Sequence, residues 1–409
     1  MPGKRQLAGL FLPMMLLFAS MALVSPSLDV LVRERFGVGN AVMSGFMGVH
    51  SLPQILLLGL AIGMLSDRLG RRLPLIGLGL LGTGITTALL PWITSWPLML
   101  TVRFLDGLLG LMAFGLLLTR VVDLTDAGTR PRVMAVLMAA IPAGYLTGSA
   151  LIMQFGLTRL SWVFGGVGAA VALAGAWQLA EARGEAAATR SEEAARAGLR
   201  RTLRSLPRLW LPMLFGFVDK FTFSGFAVLT APFLADALGV EPLYWTSMAL
   251  VAFWLAFLVA SPLAGRFAGR FGSLRVVTLC SLLYGGLLCL LGTSSTLSFF
   301  IGLMGLCGAL TAMQYIANAT LAGQLVSPAD RAAGMEAFHM AGSWGMFVGF
   351  GVLGVTSAHS YAAAFGVAGG LEILCALTGT AILLFRPRAH EFRPAKPRAL
   401  AQAASSPAK

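Results

Sequence analysis

Residues Gly63–Leu75 read Gly-Met-Leu-Ser-Asp-Arg-Leu-Gly-Arg-Arg-Leu-Pro-Leu. A long apolar run ends just before this stretch and another begins just after it. One acid and three arginines, Asp67, Arg68, Arg71 and Arg72, fall within six residues between the runs. A turn this short between two apolar helices leaves its charges at a membrane surface. Gly63 and Gly70 let the backbones approach closely there.

Composition agrees with a membrane setting. Of 409 residues, 57% are hydrophobic and only 11% charged, with mean hydropathy +0.81. A soluble chain carries about 25% charge, and a soluble fold of this composition would have more apolar surface than its interior could hide. A spanning helix needs roughly 20 apolar residues. The apolar runs predict spans at 7–32, 41–65, 73–91, 97–122, 132–156, 160–180, 209–236, 243–265, 274–293, 296–323, 332–357 and 361–385. The runs are long, continuous and not alternating, so helices rather than barrel strands are expected. The first run follows Lys4 and Arg5 as in a secretory signal, but it is too long for one and many spans follow it.

The net charge of +13 raises nucleic acid as a partner, and the placement of the cations argues against it. Numbered from an inside N-terminus, the inner loops and tail hold 25 of the 30 cations. The outer loops hold 3, Arg33, Arg35 and Arg159, and Arg103 and Lys220 lie within spans. This bias orients both termini to the cytoplasm. Cys280, Cys289, Cys307 and Cys375 all lie in apolar runs, so neither a disulfide framework nor a metal set is expected. The polar stretch Glu181–Arg208 divides the chain, as a linker or as a basic arm for anionic lipid. The expected organisation is a six-helix bundle over 1–180, a linker over 181–208, a second bundle over 209–386 and a basic, Pro-rich tail over 387–409.

The two halves echo each other. A shift of 202 residues carries Gly63 to Gly265, Arg68 to Arg270 and Gly70 to Gly272, while Asp67 becomes Gly269. A shift of 201 carries Arg130–Met134 to Arg331–Met335, Gly144 to Gly345 and Gly148 to Gly349. The pattern Gly-x-x-x-Asp-Arg-x-Gly-Arg-Arg resembles the loop 2–3 signature of the major facilitator superfamily, and a parallel repeat of six spans is what such transporters carry. The resemblance implies an all-α membrane protein of twelve transmembrane helices in two six-helix bundles, a multi-pass protein of the plasma (inner) membrane. Its pattern is similar to that of drug:proton antiporters, although these carry Gly-Pro in the fifth span where this chain has Gly148-Ser149 and a displaced Pro142.

The resemblance also assigns a gate. The Asp of the signature caps the start of the eleventh helix in one conformation, and its arginines pair with an acid at the end of the fourth helix. Those positions here are Asp67, Arg71 or Arg72, and Asp123. A carboxylate favours a helix N-terminus, and a contact made in one state only biases the equilibrium between states.

Charges inside spans face the bundle or a water-filled path, because lipid exposure is costly. Arg103 and Asp106 share a helix face at i, i+3. They form a static pair or a pair in which Asp106 releases a proton. The run Arg-Phe-Leu-Asp-Gly resembles the family's Arg-x-x-Gln-Gly, with Asp106 in place of Gln. Asp219 and Lys220 point about 100° apart, and each needs a partner or water. Asp29 can meet Arg33 at i+4, as a gate charge or a coupling residue. Glu372 is anomalous in the twelfth span and needs a proton or a bonding neighbour. Glu336 and His339 begin the eleventh span, and His50 and Gln54 share a face of the second.

Gln314 and Asn318, at i, i+4, must find partners and are candidates for substrate hydrogen bonds. Met14, Phe18, Met21, Phe114, Phe221 and Phe223 are packing residues or the walls of an apolar, adaptable pocket suited to amphipathic compounds. Glycines at four-residue spacing imply close helix packing. The chain carries no Gly-x-x-x-x-Gly-Lys-Ser/Thr run, so energy comes from a gradient or from the substrate. The expectation is a monomeric secondary transporter in the lipid bilayer, not an enzyme, with no cofactor, metal or nucleic acid. It moves a small-molecule substrate by proton-coupled efflux of an amphipathic compound. An importer or facilitator of an organic anion or other metabolite is the alternative, and a non-transporting membrane sensor or scaffold the third.

Overall fold

A computed structural model of the chain describes residues 4–56, 58–125, 130–184, 192–326 and 331–385. Those residues form fourteen α-helices and no strand. They are α1 (Lys4–Phe36), α2 (Asn40–Val49), α3 (Leu52–Ile55), α4 (Leu58–Leu69), α5 (Leu73–Leu89), α6 (Trp96–Leu124), α7 (Arg130–Phe155) and α8 (Leu160–Ala182). The second series is α9 (Glu192–Asp236), α10 (Pro242–Phe271), α11 (Ser273–Leu291), α12 (Leu297–Leu325), α13 (Arg331–Ser357) and α14 (Tyr361–Phe385). Eleven helices are long and apolar enough to cross a membrane.

The exception is the expected span 41–65, which is three short helices rather than one. Pro53 offers no N–H to continue α2. The broken backbone at His50 is also where α6 comes closest: a Cβ on Gly107 would lie 2.0 Å from the His50 carbonyl oxygen. The expected linker also differs. Its second half belongs to α9, which starts at Glu192 and runs unbroken into the seventh span. The tail 387–409 lies outside the described residues.

Turn chemistry fixes where several helices begin. Glu241 caps α10 by accepting hydrogen bonds from the backbone N–H of Leu243 (2.9 Å) and Tyr244 (2.6 Å). Gly70 and Gly272, 202 positions apart, adopt φ +61° and +89° in the turns before α5 and α11, a conformation that costs other residues dearly. Successive spans alternate in direction. The start of α1 and the ends of α4, α6, α8 and α14 therefore share one face, the terminal face. Phe36, Asn40, Asp236 and Tyr361 share the opposite face.

Each half is held by the same three seams, all made where glycine removes a side chain. On α7, a Cβ at Gly144 would meet the Met15 carbonyl of α1 at 2.3 Å; on α13, one at Gly345 would meet the Phe217 carbonyl of α9 at 2.0 Å. Gly84 of α5 lies against Gly168 of α8, and Gly285 of α11 against Gly369 of α14. Gly107 lies on His50, and Gly308 of α12 on Phe253 of α10; a Cβ on either would sit 2.0 Å from the carbonyl oxygen. Corresponding residues stand 201 to 203 positions apart. Backbones this close exchange side-chain volume for dispersion contact, the main attraction available between helices in lipid.

Candidate functional site

Each half holds a charged group within a span. In the first, Arg103 and Asp106 of α6 are both buried, and Arg103 Nη1 donates to Asp106 Oδ2 at 2.7 Å. Thr86 of α5 donates to Asp106 Oδ1 at 3.0 Å, and His50 Nδ1 lies 3.3 Å from Oδ2. Asp106 is thus held from three sides, while Arg103 Nε is buried with no partner.

In the second half, Lys220 Nζ lies 3.3 Å from Asp219 Oδ2, a charge contact between neighbours on α9 rather than an aligned hydrogen bond. The same ammonium sits over two ring faces, 4.9 Å from the centroid of Tyr315 on α12 and 5.2 Å from that of Phe223. The Lys220 side chain remains 31% exposed, whereas the side chains of Asp219, Asp106 and Arg103 are 3%, 5% and 8% exposed. Lys220 belongs to the partly open stripe Met213, Phe217, Lys220, Phe223 and Ala227 of a helix that is otherwise mostly buried.

An aromatic chain runs from the first half to Lys220. Phe114 of α6 meets Phe18 of α1 edge-on at 5.5 Å, and Phe18 meets Tyr145 of α7 at 5.6 Å. Tyr145 stacks on Trp254 of α10 at 4.2 Å with rings within 10° of parallel, and Trp254 meets Phe223 at 5.9 Å. Rings from both halves therefore form one continuous chain of contacts ending beside Lys220. Phe18, Phe114 and Phe223, expected as packing residues or pocket walls, all belong to it. Tyr145 and Trp254 were not expected there, because they lie on the fifth and eighth spans. Their scarcity was the available signal, since the chain has five tyrosines and eight tryptophans.

Other candidates are placed elsewhere. Met21 is half-buried on α1, whereas Met14 is in the apolar core and Phe221 is 3% exposed in the α9–α13 seam. Gln314 and Asn318 are fully buried inside the second half. Gln314 bonds to Glu372 of α14, and Asn318 donates to the Pro212 carbonyl at 3.0 Å.

At the terminal face, Arg72 is buried and its Nε donates to Asp123 at the end of α6, while Nη1 donates to Ser66 at 3.2 Å. Arg68 and Arg71 are exposed, and Gly63 lies on α4 with open space where a Cβ would be. The side chains of Asp67 and Glu336 lie outside the described residues. At the opposite face, Arg33 holds Asp29 through two bonds (2.9 and 3.0 Å) and donates to Asn40 at 2.7 Å. Asn40 donates to Tyr361 at 3.4 Å, and Tyr361 donates to Asp236 at 2.5 Å. This network ties α1 and α2 to α9 and α14. Nearby, a Cβ on Gly354 of α13 would lie 2.1 Å from Ser44 of α2, and Ser343 donates to Gln54 deeper in the molecule.

Comparison with known proteins bears on this architecture. No protein of curated function matches the chain by sequence. Among solved structures, a POT family transporter in complex with a thioalcohol-conjugated peptide superposes with TM-score 0.78 at 14% identity, covering 94% of this chain and 97% of that one. A D-xylose–proton symporter gives 0.76 at 14%, covering 91% and 96%. The human organic anion transporter MFSD10 (TETRAN) gives 0.69 at 20%, covering 93% and 100%. At these identities the likeness concerns the fold. The Major Facilitator Superfamily model matches residues 10–246 and 213–408. The chain is a multi-pass membrane transporter and belongs to the Major Facilitator Superfamily.

Proposed function

We propose that this transporter moves a small organic anion with an apolar body by alternating access, coupled to protons. The observation that carries the reading is Lys220. It is the most exposed of the four mid-span charges, and it stands at the end of an aromatic wall. Lys220 would bind a carboxylate while the rings of Phe223, Trp254 and Phe18 take the apolar part. Arg103 is already neutralised by Asp106, so it serves the fold before it serves cargo. The solved neighbours named for peptides, a sugar and organic anions are compatible with a small polar cargo, and the wall of rings favours one that is also apolar.

The twelve-span arrangement follows if α2, α3 and α4 together make the second span. Bundles over 1–180 and 209–386, cytoplasmic termini, a plasma-membrane location and a monomer complete this reading, supported by the distribution of cations and by a pathway that needs no second chain. With the termini inside, the closed contacts at the opposite face describe a conformation shut to the exterior. The Arg72–Asp123 pair, with Asp67, is the inner latch and the Asp29–Arg33–Asn40–Tyr361–Asp236 network the outer one. Proton-driven efflux of a neutral or cationic amphiphile is the second reading, favoured by the largely apolar wall.

Purified protein in liposomes loaded with a pH-sensitive dye tests both. With a panel of aromatic carboxylates, neutral amphiphiles and lipophilic cations, carboxylates should move protons and the others should not. Lys220→Gln should weaken carboxylate transport at least tenfold, about 1.4 kcal/mol of binding. Movement of lipophilic cations, unaffected by Lys220→Gln, would overturn the anion reading and leave efflux in its place.

A further inference from the structure

Glu372 lies in the interior of the second half, on α14, with no exposed surface. Three other helices converge on its carboxyl. Ser281 of α11 donates to Oε2 at 2.6 Å, and Gln314 of α12 donates to the same oxygen at 3.1 Å. Thr222 of α9 lies 3.4 Å from Oε1 and 2.9 Å from the backbone carbonyl of Asp219. Every described partner is a neutral group. No ion pair reaches Glu372 among the described residues, and the nearby ammonium of Lys220 is matched by Asp219. Asp219, Tyr284 and Cys375 are the other titratable groups near it, and none brings positive charge. An ionised carboxylate without a cation, at zero exposure, carries a desolvation cost that neutral donors do not cover.

The hydrogen bonds assign the proton as well. Oε2 has two good donors, as a carbonyl oxygen would. Oε1 has only long contacts, the Gln314 amide at 3.4 Å and Thr222. The Thr222 hydroxyl hydrogen goes to the closer Asp219 carbonyl, which leaves its oxygen free to accept. The pattern is complete when Oε1 carries a hydrogen and donates it to Thr222.

We propose that Glu372 is a proton-binding site of this transporter, with Ser281 and Gln314 holding the carbonyl oxygen and Thr222 receiving the O–H. Thr222 lies on the same turn of α9 as Asp219 and Lys220, so the proton and the charge pair act on one element. Asp219 is the charge that reaches Glu372, and it favours the proton. Lys220 offsets Asp219, so removing Lys220 tightens the hold, and an anion docked on Lys220 would do the same; this link to cargo rests on the anion reading above.

Infrared spectroscopy of the full chain in lipid nanodiscs reads the site without any transported compound, so its failure is distinct from failure of the transport reading. Wild-type protein at neutral pH should show a protonated-carboxyl C=O stretch that is missing in Glu372→Gln. Ser281→Ala should shift that stretch to higher frequency through loss of one hydrogen bond, and this second variant carries the test should the first not be recovered. In Lys220→Gln the stretch should persist to higher pH than in wild type. A wild-type minus Glu372→Gln spectrum holding only carboxylate stretches at neutral pH would overturn the proposal. So would a stretch lost on adding sodium but unchanged by raising pH, which would make the site one for a metal cation.

Discussion

Arg103 and Asp106 show how a pair that could serve transport is first required by the fold. Each is buried, and each would be an unmatched charge without the other. Asp106→Asn should destabilise the protein by about 3–5 kcal/mol by stranding Arg103. Thermal unfolding in detergent should show a lower midpoint for Asp106→Asn than for the double variant Arg103→Met, Asp106→Leu, which removes both charges. A double variant less stable than the single would show that the pair contributes more than neutralisation. Lys220 is the contrasting case. It keeps nearly a third of its side chain open and takes its support from ring faces, which hold a cation without satisfying it as a carboxylate would.

At the scale of elements, the glycine seams decide which helices pair. A Cβ on Gly345 would sit 2.0 Å from the Phe217 carbonyl, so Gly345→Val must drive α13 off α9. It should abolish recovery of folded protein in detergent size-exclusion chromatography. Gly370→Ala is the control: Gly370 is exposed on α14 with nothing within 4 Å of a Cβ, and the change should be neutral or stabilise by up to about 1 kcal/mol. Seams of this kind were legible in the sequence, since Gly144, Gly148, Gly345 and Gly349 recur at a fixed offset. The spans were legible for a similar reason, because an apolar run of sufficient length leaves few alternatives in a membrane. Helix phase was not. Gln314 and Asn318 share a face, but which way that face turns depends on packing. A span apolar on all sides carries little record of the side its neighbours occupy. The partners of Glu372 lie 58, 91 and 150 residues away in sequence, at Gln314, Ser281 and Thr222. Only the assembled bundle brings them together. The break in the second span escaped notice although Pro53 stands in it, because prolines also stand inside α1, α7, α9 and α10 without ending them.

For the molecule as a whole, the two halves meet firmly at the opposite face. Tyr361 is central there, bonded to Asn40 of the first half and Asp236 of the second. Tyr361→Phe keeps the ring beside Phe233 and removes both bonds. Loss of about 1 kcal/mol from the closed state should raise the open population roughly fivefold. Ser44 is 2% exposed beneath this closure, so a Ser44→Cys reporter should label slowly with a membrane-impermeant maleimide in the parent. It should label about fivefold faster once Tyr361→Phe is added. Equal rates would mean that the network does not hold the halves together.

The three glycine seams occur in both halves, yet the ionic chemistry does not. Leu17 and Phe18 occupy the positions that correspond to Asp219 and Lys220, and Val171 the position that corresponds to Glu372. Such a chain has the form of a duplicated ancestor whose scaffold was kept and whose interior diverged. The glycine scaffold is a shared inheritance, while the buried charges differ between the copies. If the α9 stripe binds cargo as proposed, new cargo could evolve by drift along it without disturbing a single backbone contact of the scaffold.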